Sequence, residues 1–220
     1  MTTWAIIPVK PLRYGKSRLS RILSPDERAR LTTRMLSRTL DTLNKVPAVF
    51  RSLVISRDPA ALKIARQYDA YTYGEGERQG LNDALARAAH IAAAQEATGV
   101  LVVPADLPLI TVEDIEMMLA GVAPTMSGRG VNGYRHPRII TICPDRYEDG
   151  TNALYVSPPT GFKFHYGEGS FQKHLDEAKA LGMTSRIVHT PGLKFDLDTE
   201  DDWHTFQALN GVPSQISAAG

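Results

Sequence analysis

The run Gly99-Val100-Leu101-Val102-Val103-Pro104-Ala105-Asp106 is apolar along its length and ends in a carboxylate. A strand without polar alternation is typical of a parallel sheet that is covered on both faces. In such a sheet, ligands bind at the edge where the parallel strands end. The stretch therefore predicts an α/β fold with Asp106 in its ligand site.

Segments of strand and helix character alternate on either side of this run. The alternation predicts one α/β domain over residues 1–210, with a mostly parallel sheet, helices on both faces and the first strand at the centre. Residues 211–220 are small and polar, and we expect a disordered tail there. The predicted strands cover 3–9, 52–56, 70–73, 99–104, 138–143, 153–156, 184–189 and 194–197, and the predicted helices begin after Ser24, Asp58, Gly80, Thr111, Gly169 and Thr199.

Composition argues against several classes of partner. The 220 residues carry a formal net charge of +1, so no overall field favours nucleic acid or an anionic membrane. No apolar stretch approaches the roughly 20 residues that a membrane-spanning helix needs, and residues 1–4 lack a signal-peptide pattern. Cys143 is the single cysteine and lies in an apolar run, which predicts a buried thiol in a reducing compartment. We expect a cytoplasmic protein that binds neither nucleic acid nor membrane.

Three aspartates stand at the ends of two predicted strands. Asp106 follows the apolar run, and Asp196 and Asp198 alternate along a second extended segment, so these two share one side. Like charges on one face repel each other unless a cation lies between them. Carboxylate oxygens suit Mg²⁺, so we favour a magnesium site for the trio over a structural role. We interpret Asp201 and Asp202 as helix-start charges and nothing more.

The loop after the first predicted strand is rich in cations. It reads Pro8-Val9-Lys10-Pro11-Leu12-Arg13-Tyr14-Gly15-Lys16-Ser17-Arg18-Leu19. A basic loop at this place in an α/β fold commonly wraps phosphates. The spacing matches neither a Walker A loop nor a Gly-x-Gly-x-x-Gly fingerprint. The loop alone does not separate a phosphate site from a solvated basic loop.

Three further segments carry polar groups beside glycines. The turn 149–152 offers hydroxyl and amide groups, although a plain polar turn explains it as well. The segment 166–174 opens a helix at Ser170, where free N–H groups suit an anion and a plain N-cap is the alternative. We interpret His174 as a packed or surface residue. The segment 80–84 is either a base-contacting loop or a glycine hinge.

Taken together, these segments resemble the guanylyltransferases of coenzyme F420 biosynthesis, the family that uses 2-phospho-L-lactate or phosphoenolpyruvate. The resemblance runs from Ile6 to about Asp202 and rests on six pieces in order. They are Pro8-Val9-Lys10 with Lys16-Ser17-Arg18-Leu19, Gly80-Leu81-Asn82, Pro104-Ala105-Asp106-Leu107-Pro108, Gly150-Thr151-Asn152-Ala153-Leu154, Tyr166-Gly167 with Ser170-Phe171 and His174, and Asp196-Leu197-Asp198-Thr199.

The resemblance implies a Rossmann-like nucleotidyltransferase domain that joins GTP to a three-carbon phospho-acid and releases pyrophosphate. It also implies roles for individual residues. Those roles are Mg²⁺ binding for Asp106, Asp196 and Asp198; phospho-acid binding for Thr151, Gly167 and Ser170; catalysis through contact with the GTP phosphates for Lys10, Lys16 and Arg18; and nucleoside binding for Gly80, Leu81 and Asn82.

Several alternatives stay open. If the chain is a nucleotidyltransferase, its acceptor could also be 3-phosphoglycerate, a sugar phosphate or a molybdenum cofactor. Two alternatives of other classes are a glycosyltransferase that uses a nucleotide sugar and a non-catalytic regulator that binds GTP. The segment 127–137 is longer and richer in Gly and Arg than the family's usual connection. Because it precedes the strand that borders the expected acid site, it leaves the identity of the acid open. The sequence also leaves a homodimer open.

Overall fold

The computed structural model describes residues 2–76, 80–122, 125–126, 134–135 and 137–209. The predicted tail over 211–220, the end of the predicted domain at 210 and most of the segment 127–137 lie outside these residues. In chain order, the strands are β1 (Thr3–Val9), β2 (Val49–Ser56), β3 (Tyr71–Gly74), β4 (Gly99–Val102), β5 (Thr125–Met126), β6 (Tyr134–Arg135), β7 (Ile139–Pro144), β8 (Thr151–Ser157) and β9 (Thr184–Ile187).

The six predicted helices begin at the expected residues. Ser24 and Thr111 both form complete capping boxes, with Glu27 and Asp114 as the reciprocal partners. The helices are α1 (Pro25–Asn44), α2 (Pro59–Arg66), α3 (Leu81–Ala94), α4 (Val112–Leu119), α5 (Ser170–Ala180), α6 (Pro191–Lys194) and α7 (Glu200–Leu209), and a 3₁₀ turn covers Ser17–Leu19.

Seven strands form one sheet in the order β3-β2-β1-β4-β8-β7-β9, and β5 pairs with β6 apart from it. All pairings in the large sheet are parallel except those of β8, which runs against both β4 and β7. The predicted mostly parallel α/β sheet is confirmed. Strand β4 takes the middle position, so the prediction that β1 is the central strand is wrong by one place.

Apolar side chains cover both faces of this sheet, because successive residues of a strand point to opposite sides. Ala5, Ile7 and Val9 of β1 belong to a core that includes α1, α2 and α4. Trp4 and Ile6 belong to a second core that includes α3 and α5. Helices on both faces are therefore confirmed.

A third, smaller cluster joins the early basic loop to the last helix. Its buried members are Leu19, Leu23, Leu31, Met35 and Leu197, and Phe195, Trp203 and Phe206 pack against them. The cluster fixes two polar segments of distant sequence next to each other, since Leu19 and Leu197 each adjoin a charged residue.

The predicted strand over 194–197 is wrong. Thr190 and Pro191 are a helix start, and Thr190 Oγ1 accepts the N–H of Leu193, so the chain forms α6 there instead. The next residues are extended without joining the sheet. A backbone hydrogen bond from Leu197 N to Asp106 O, at 3.1 Å, holds them beside the loop after β4.

The part of the chain that the structure describes contains no helix that is long and apolar enough to cross a membrane. Cys143 is buried in β7 as a free thiol, and burial raises its pKa to about 11, so it has the properties of the predicted core residue.

Candidate active site

The reversed strand β8 brings two distant parts of the sequence to one edge of the sheet. Strands β1, β2 and β4 end at this edge, and β8 begins there because it runs the other way. Val102 at the end of β4 pairs with Leu154 near the start of β8. Thr151, the first residue of β8, therefore lies beside the loop that contains Asp106.

Lys16 lies between two of the three predicted metal ligands. Its ammonium donates to Asp106 Oδ2 at 2.8 Å and lies 3.8 Å from Asp198 Oδ1. The Lys16 side chain is only 6% exposed, whereas those of Asp106 and Asp198 are 36% and 35% exposed. Lys16 has a φ of 54°, in the left-handed region that non-glycine residues rarely adopt without support. The structure thus brings Asp106 and Asp198 to one cation, which is the ammonium of this lysine.

Arg18 meets the same acidic group from the solvent side. Its NH1 donates to Asp198 Oδ2 at 2.8 Å, and its side chain is 72% exposed. The third hydrophobic cluster explains this contact, because Leu19 and Leu197 are both buried in it. Packing of the two leucines places the neighbouring arginine and aspartate together.

Asp196 lies in the field of the other acidic groups. Its burial raises its pKa above the ordinary value of 3.8, and the negative charge of Asp106 raises it further, against the opposing effect of Arg146. Within residues 2–76, 80–122 and 137–209, no three Asp, Glu, His or Cys side chains converge closely enough to form a ready metal site. The negative charge of Asp106 thus acts on Asp196, and Lys16 pairs with Asp106 and Asp198.

Asp202 is more than a helix-start charge, so that prediction is wrong. The residue is 1% exposed, and its carboxylate accepts hydrogen bonds from the Arg146 guanidinium and from the N–H groups of Thr199 at 2.7 Å and Asp198 at 3.0 Å. Burial alone would raise its pKa, but these donors outweigh it and lower the pKa below 3.8. The spacing Thr199-x-x-Asp202 is that of a capping box and could have indicated this role.

A cavity of about 470 Å³ opens beside these charges, a size that suits a small-molecule ligand. We call it the charged cleft. The residues that line it are Pro8, Val9, Lys10, Pro11, Lys16, Thr32, Arg57, Glu75, Gly80, Leu81, Pro104, Ala105, Asp106 and Asp198. Lys10, Gly80 and Leu81 were expected there, whereas Thr32, Arg57 and Glu75 were missed because they follow no motif. Burial raises the pKa of Glu75, and Arg57, 4.0 Å away, opposes that shift.

Thr151 and Ser170 form a second polar group, which we call the hydroxyl pair. Ser170 Oγ lies 3.3 Å from Thr151 Oγ1, and both residues are buried. Two glycines with positive φ make the turn into α5: Gly167 at 129° and Gly169 at 65°. The carbonyl of Gly167 accepts the N–H of Ser170 at 3.1 Å. All three residues expected at the acid therefore lie together at the start of α5.

Asn82 connects the charged cleft to the loop that leads to the hydroxyl pair. Its side chain donates to Tyr166 O at 3.1 Å and accepts from Tyr166 N at 2.8 Å. Asn82 directly follows the cleft residues Gly80 and Leu81, and Tyr166 directly precedes Gly167. A side chain that was expected to contact the nucleoside therefore bonds the backbone of the acid-side loop.

The fold and this site define the class of protein. A nucleotidyltransferase from Methanothermobacter thermautotroptrophicus superposes with a TM-score of 0.68 at 11% identity, covering 95% of this chain and 97% of its own. A CMP:2-keto-3-deoxy-manno-octonic acid synthetase complexed with CTP gives 0.58 at 13% identity, covering 96% and 99%. These likenesses show that the chain has the fold of a nucleotidyltransferase.

The sequence places the chain more narrowly. Residues 3–208 match the family described as guanylyl transferase CofC like, and the chain belongs to that family. A phosphoenolpyruvate guanylyltransferase of Rubrobacter xylanophilus is 39% identical over 215 residues, covering 96% of this chain and 97% of the relative. A protein of the same name from Sphaerobacter thermophilus is 35% identical over 209 residues, covering 92% and 91%. The predicted family is thereby confirmed, and the chain is a guanylyltransferase.

Proposed function

We propose that the chain transfers the guanylyl group of GTP to a three-carbon phospho-acid and releases pyrophosphate, as a step of coenzyme F420 biosynthesis. Phosphoenolpyruvate is the first acceptor to consider, because the two relatives above carry it in their names. 2-Phospho-L-lactate is the second, since it presents a phosphate and a carboxylate on the same three-carbon frame.

The observation that carries the proposal is the ammonium of Lys16 between Asp106 and Asp198 in the lining of the charged cleft. A polyphosphate that enters the cleft offers this ammonium another set of anionic oxygens. Transfer of the lysine to the phosphates frees the carboxylates at the same moment. The arrangement suits an enzyme that must accept a highly charged nucleotide.

The three aspartates also have the chemistry to bind a magnesium ion, although their side chains would have to move closer together to share it. Asp106, Asp196 and Asp198 supply hard oxygen ligands. Burial and, after it, the negative charge of Asp106 raise the pKa of Asp196, and a divalent cation would oppose both effects. When bound there, Mg²⁺ would neutralise phosphate charge and polarise the phosphoryl oxygens. We therefore propose that these side chains hold Mg²⁺ once nucleotide has displaced Lys16.

The reaction requires alignment more than acid–base chemistry. A phosphate oxygen of the acid forms a bond to the α-phosphorus of GTP, and the bond from that phosphorus to the bridging oxygen of the β-phosphate breaks. Pyrophosphate leaves with the bonding electron pair. A phosphate monoester is already largely dianionic at neutral pH, since its second pKa is about 6, so no general base is needed. The protein must hold two anions in line against their repulsion.

The described residues divide this work. We propose that Lys10, Lys16 and Arg18 contact the phosphates of GTP and stabilise the departing pyrophosphate, that Gly80 and Leu81 face the nucleoside, and that Thr151, Gly167 and Ser170 hold the acid. In this proposal Asn82 supports nucleotide binding indirectly, because its side chain bonds the backbone of Tyr166 and so holds the segment 80–82 in place.

Pyrophosphate release with GTP against phosphoenolpyruvate, 2-phospho-L-lactate and 3-phosphoglycerate tests the proposal. ATP replaces GTP in one control, and a chelator replaces Mg²⁺ in another. We expect release with GTP and at least one of the first two acids, and loss of release with the chelator. Binding of GTP without release with any acid would favour a regulator. Release with a sugar phosphate alone would move the chain to a different acceptor class.

A further inference from the structure

A fully buried histidine lies behind the hydroxyl pair. His174 is on the second turn of α5 and has no exposed surface. The rings of Phe162 and Tyr166 lie 5.9 Å and 5.1 Å from its own, centre to centre. Both of its ring nitrogens nevertheless have hydrogen-bond partners, at 2.9 Å and 3.0 Å. A histidine packed only as an apolar ring would not need two such contacts.

The first of these contacts fixes the tautomer. The backbone N–H of His165 points at His174 Nε2, with 2.9 Å between the two nitrogens. A backbone N–H can only donate, so Nε2 must accept and carries no proton. Burial, together with a smaller effect of the neighbouring His165, lowers the pKa of His174 to about 3, so the ring is neutral. The one ring proton is therefore on Nδ1.

The second contact links the tautomer of His174 to the hydroxyl pair. His174 Nδ1 lies 3.0 Å from Thr151 Oγ1, so the Nδ1–H donates and the threonine oxygen accepts. The hydroxyl proton of Thr151 must point elsewhere, either to Ser170 or to a ligand. If Ser170 donates to Thr151, the threonine proton is free; if Thr151 donates to Ser170, the serine proton is free. Either way, one hydroxyl proton is available to an anion.

We propose that His174 is a positioning residue, which fixes Thr151 as an acceptor on its protein side so that the hydroxyl pair presents a donor to the phospho-acid. This inference rests on the proposed function, in which Thr151 and Ser170 bind the acid. The chain of bonds is His165 N–H to His174 Nε2, then His174 Nδ1–H to Thr151 Oγ1. An anionic ligand needs hydrogen-bond donors, and this arrangement ensures that the hydroxyl pair keeps one O–H free to donate to it.

Two substitutions separate the two ring contacts. The amide of an asparagine reaches the place of Nδ1, so H174N keeps a donor for Thr151 and loses the acceptor for His165. The amide of a glutamine reaches the place of Nε2, so H174Q keeps that acceptor and loses the donor. We expect H174Q to raise the KM for the acid about tenfold, while kcat and the KM for GTP change less than about twofold. H174N should keep the KM for the acid within about threefold of the native value. Equal increases in both variants would overturn the proposal.

A double-mutant cycle with Thr151 tests the route. T151V removes the hydroxyl, so H174Q should add little to the KM of T151V if the histidine acts through that group. Fully additive effects would contradict the proposal. If T151V and S170A both leave the KM for the acid unchanged, the acid binds elsewhere and the proposed function loses its acid site. If T151V raises that KM and H174Q does not, the inference about His174 alone fails.

The tautomer can be read without any substitution. Long-range ¹H–¹⁵N correlation spectra of the native protein should show His174 protonated at Nδ1 and neutral from about pH 5 to pH 8, because its pKa is about 3. A proton on Nε2, or a titration of this ring within that range, would overturn the proposal. The spectra remain decisive if both His174 variants fail to fold.

Discussion

On the cleft side of the site, Lys16 and Arg18 form ion pairs with Asp106 and Asp198, whereas at the start of α5 the hydroxyl pair and His174 are neutral. The ion pairs are partly exposed, and the hydroxyl pair is buried. Lys16 and Arg18 thus already have carboxylate partners. If nucleotide phosphates bind these cations, as we propose, the cations must exchange carboxylate oxygens for phosphate oxygens.

The hydroxyl pair needs no such exchange. Its geometry comes from α5, from β8 and from the ring behind it, and a ligand adds one more hydrogen bond to a network that is already oriented. The difference suggests that substitutions in the cleft affect turnover and that substitutions in the pair affect binding of one substrate. Four predictions test this contrast, in order of decreasing effect.

Asp106→Asn should have the largest effect. The change removes a proposed metal ligand and the partner of Lys16, so we expect kcat to fall by about 10³-fold. Steady-state pyrophosphate release measures it. Asp41→Asn is the matched control, because Asp41 is an exposed aspartate on α1 that pairs with Lys45. Full turnover of Asp106→Asn at low Mg²⁺ would show that this carboxylate does not serve a metal.

Lys16→Met should lower kcat/KM for GTP by about 10²-fold, because it removes a buried ammonium and leaves two carboxylates facing the incoming phosphates. Arg18→Gln is the comparison. Arg18 is 72% exposed, so salt already screens its pair with Asp198, and we expect a loss of only about threefold that shrinks as ionic strength rises. Equal losses in the two variants would remove the distinction between the buried and the exposed cation.

Ser170→Ala should raise the KM for the acid about fivefold, with kcat and the KM for GTP nearly unchanged. One hydroxyl is lost, but the bond between Thr151 and His174 remains. Ser185→Ala is the control, since Ser185 is an exposed serine of β9. The contrast between the two regions fails if Ser170→Ala lowers kcat as strongly as it raises that KM.

Asp202→Asn should leave the chemistry nearly intact and lower the free energy of unfolding by about 1–2 kcal/mol, because Arg146 loses its partner. The lowered pKa of Asp202 means that its contribution is complete above about pH 4 and is lost as the pH falls through the folded-state pKa. Urea unfolding at pH 7 and at pH 3 measures both effects. The exposed Asp201→Asn should change neither, and an Asp202→Asn protein as stable as native at pH 7 would contradict the role.

Local signals in the sequence predicted most of the fold. The caps at Ser24, Asp58 and Thr111 were readable because a cap involves residues two or three apart. The apolar run over 99–104 and the aspartate that follows it, Asp106, could be recognised from neighbouring residues in the same way. The basic loop could be located in the same way, although its lysine was expected at phosphates and in the structure bonds an aspartate 90 residues away.

Contacts between residues that are distant in the chain could not be predicted from the sequence. The reversed direction of β8 depends on its pairing with β4, some 50 residues earlier, and alternation of strand and helix carries no information about direction. The bond from His174 to Thr151 spans 23 residues and two elements. The segment after α6 looked like a strand because apolar and acidic residues alternate along it, but in the structure it joins no strand of the sheet, and a backbone hydrogen bond from Leu197 N to Asp106 O lies there instead.

The direction of β7 and β8 also decides what insertions this fold can tolerate. Strand β7 enters the sheet at Ile139, at the edge opposite Thr151, and the turn from β7 to β8 over 145–150 is the part that faces the ligand side. The chain before Ile139 thus enters the sheet at the end of the strands opposite Thr151. A change of chain length before Ile139 therefore does not by itself shift the register between β7 and β8, in which Thr151 pairs with Pro144. A fluorescent label or an affinity tag inserted there should consequently be compatible with catalysis.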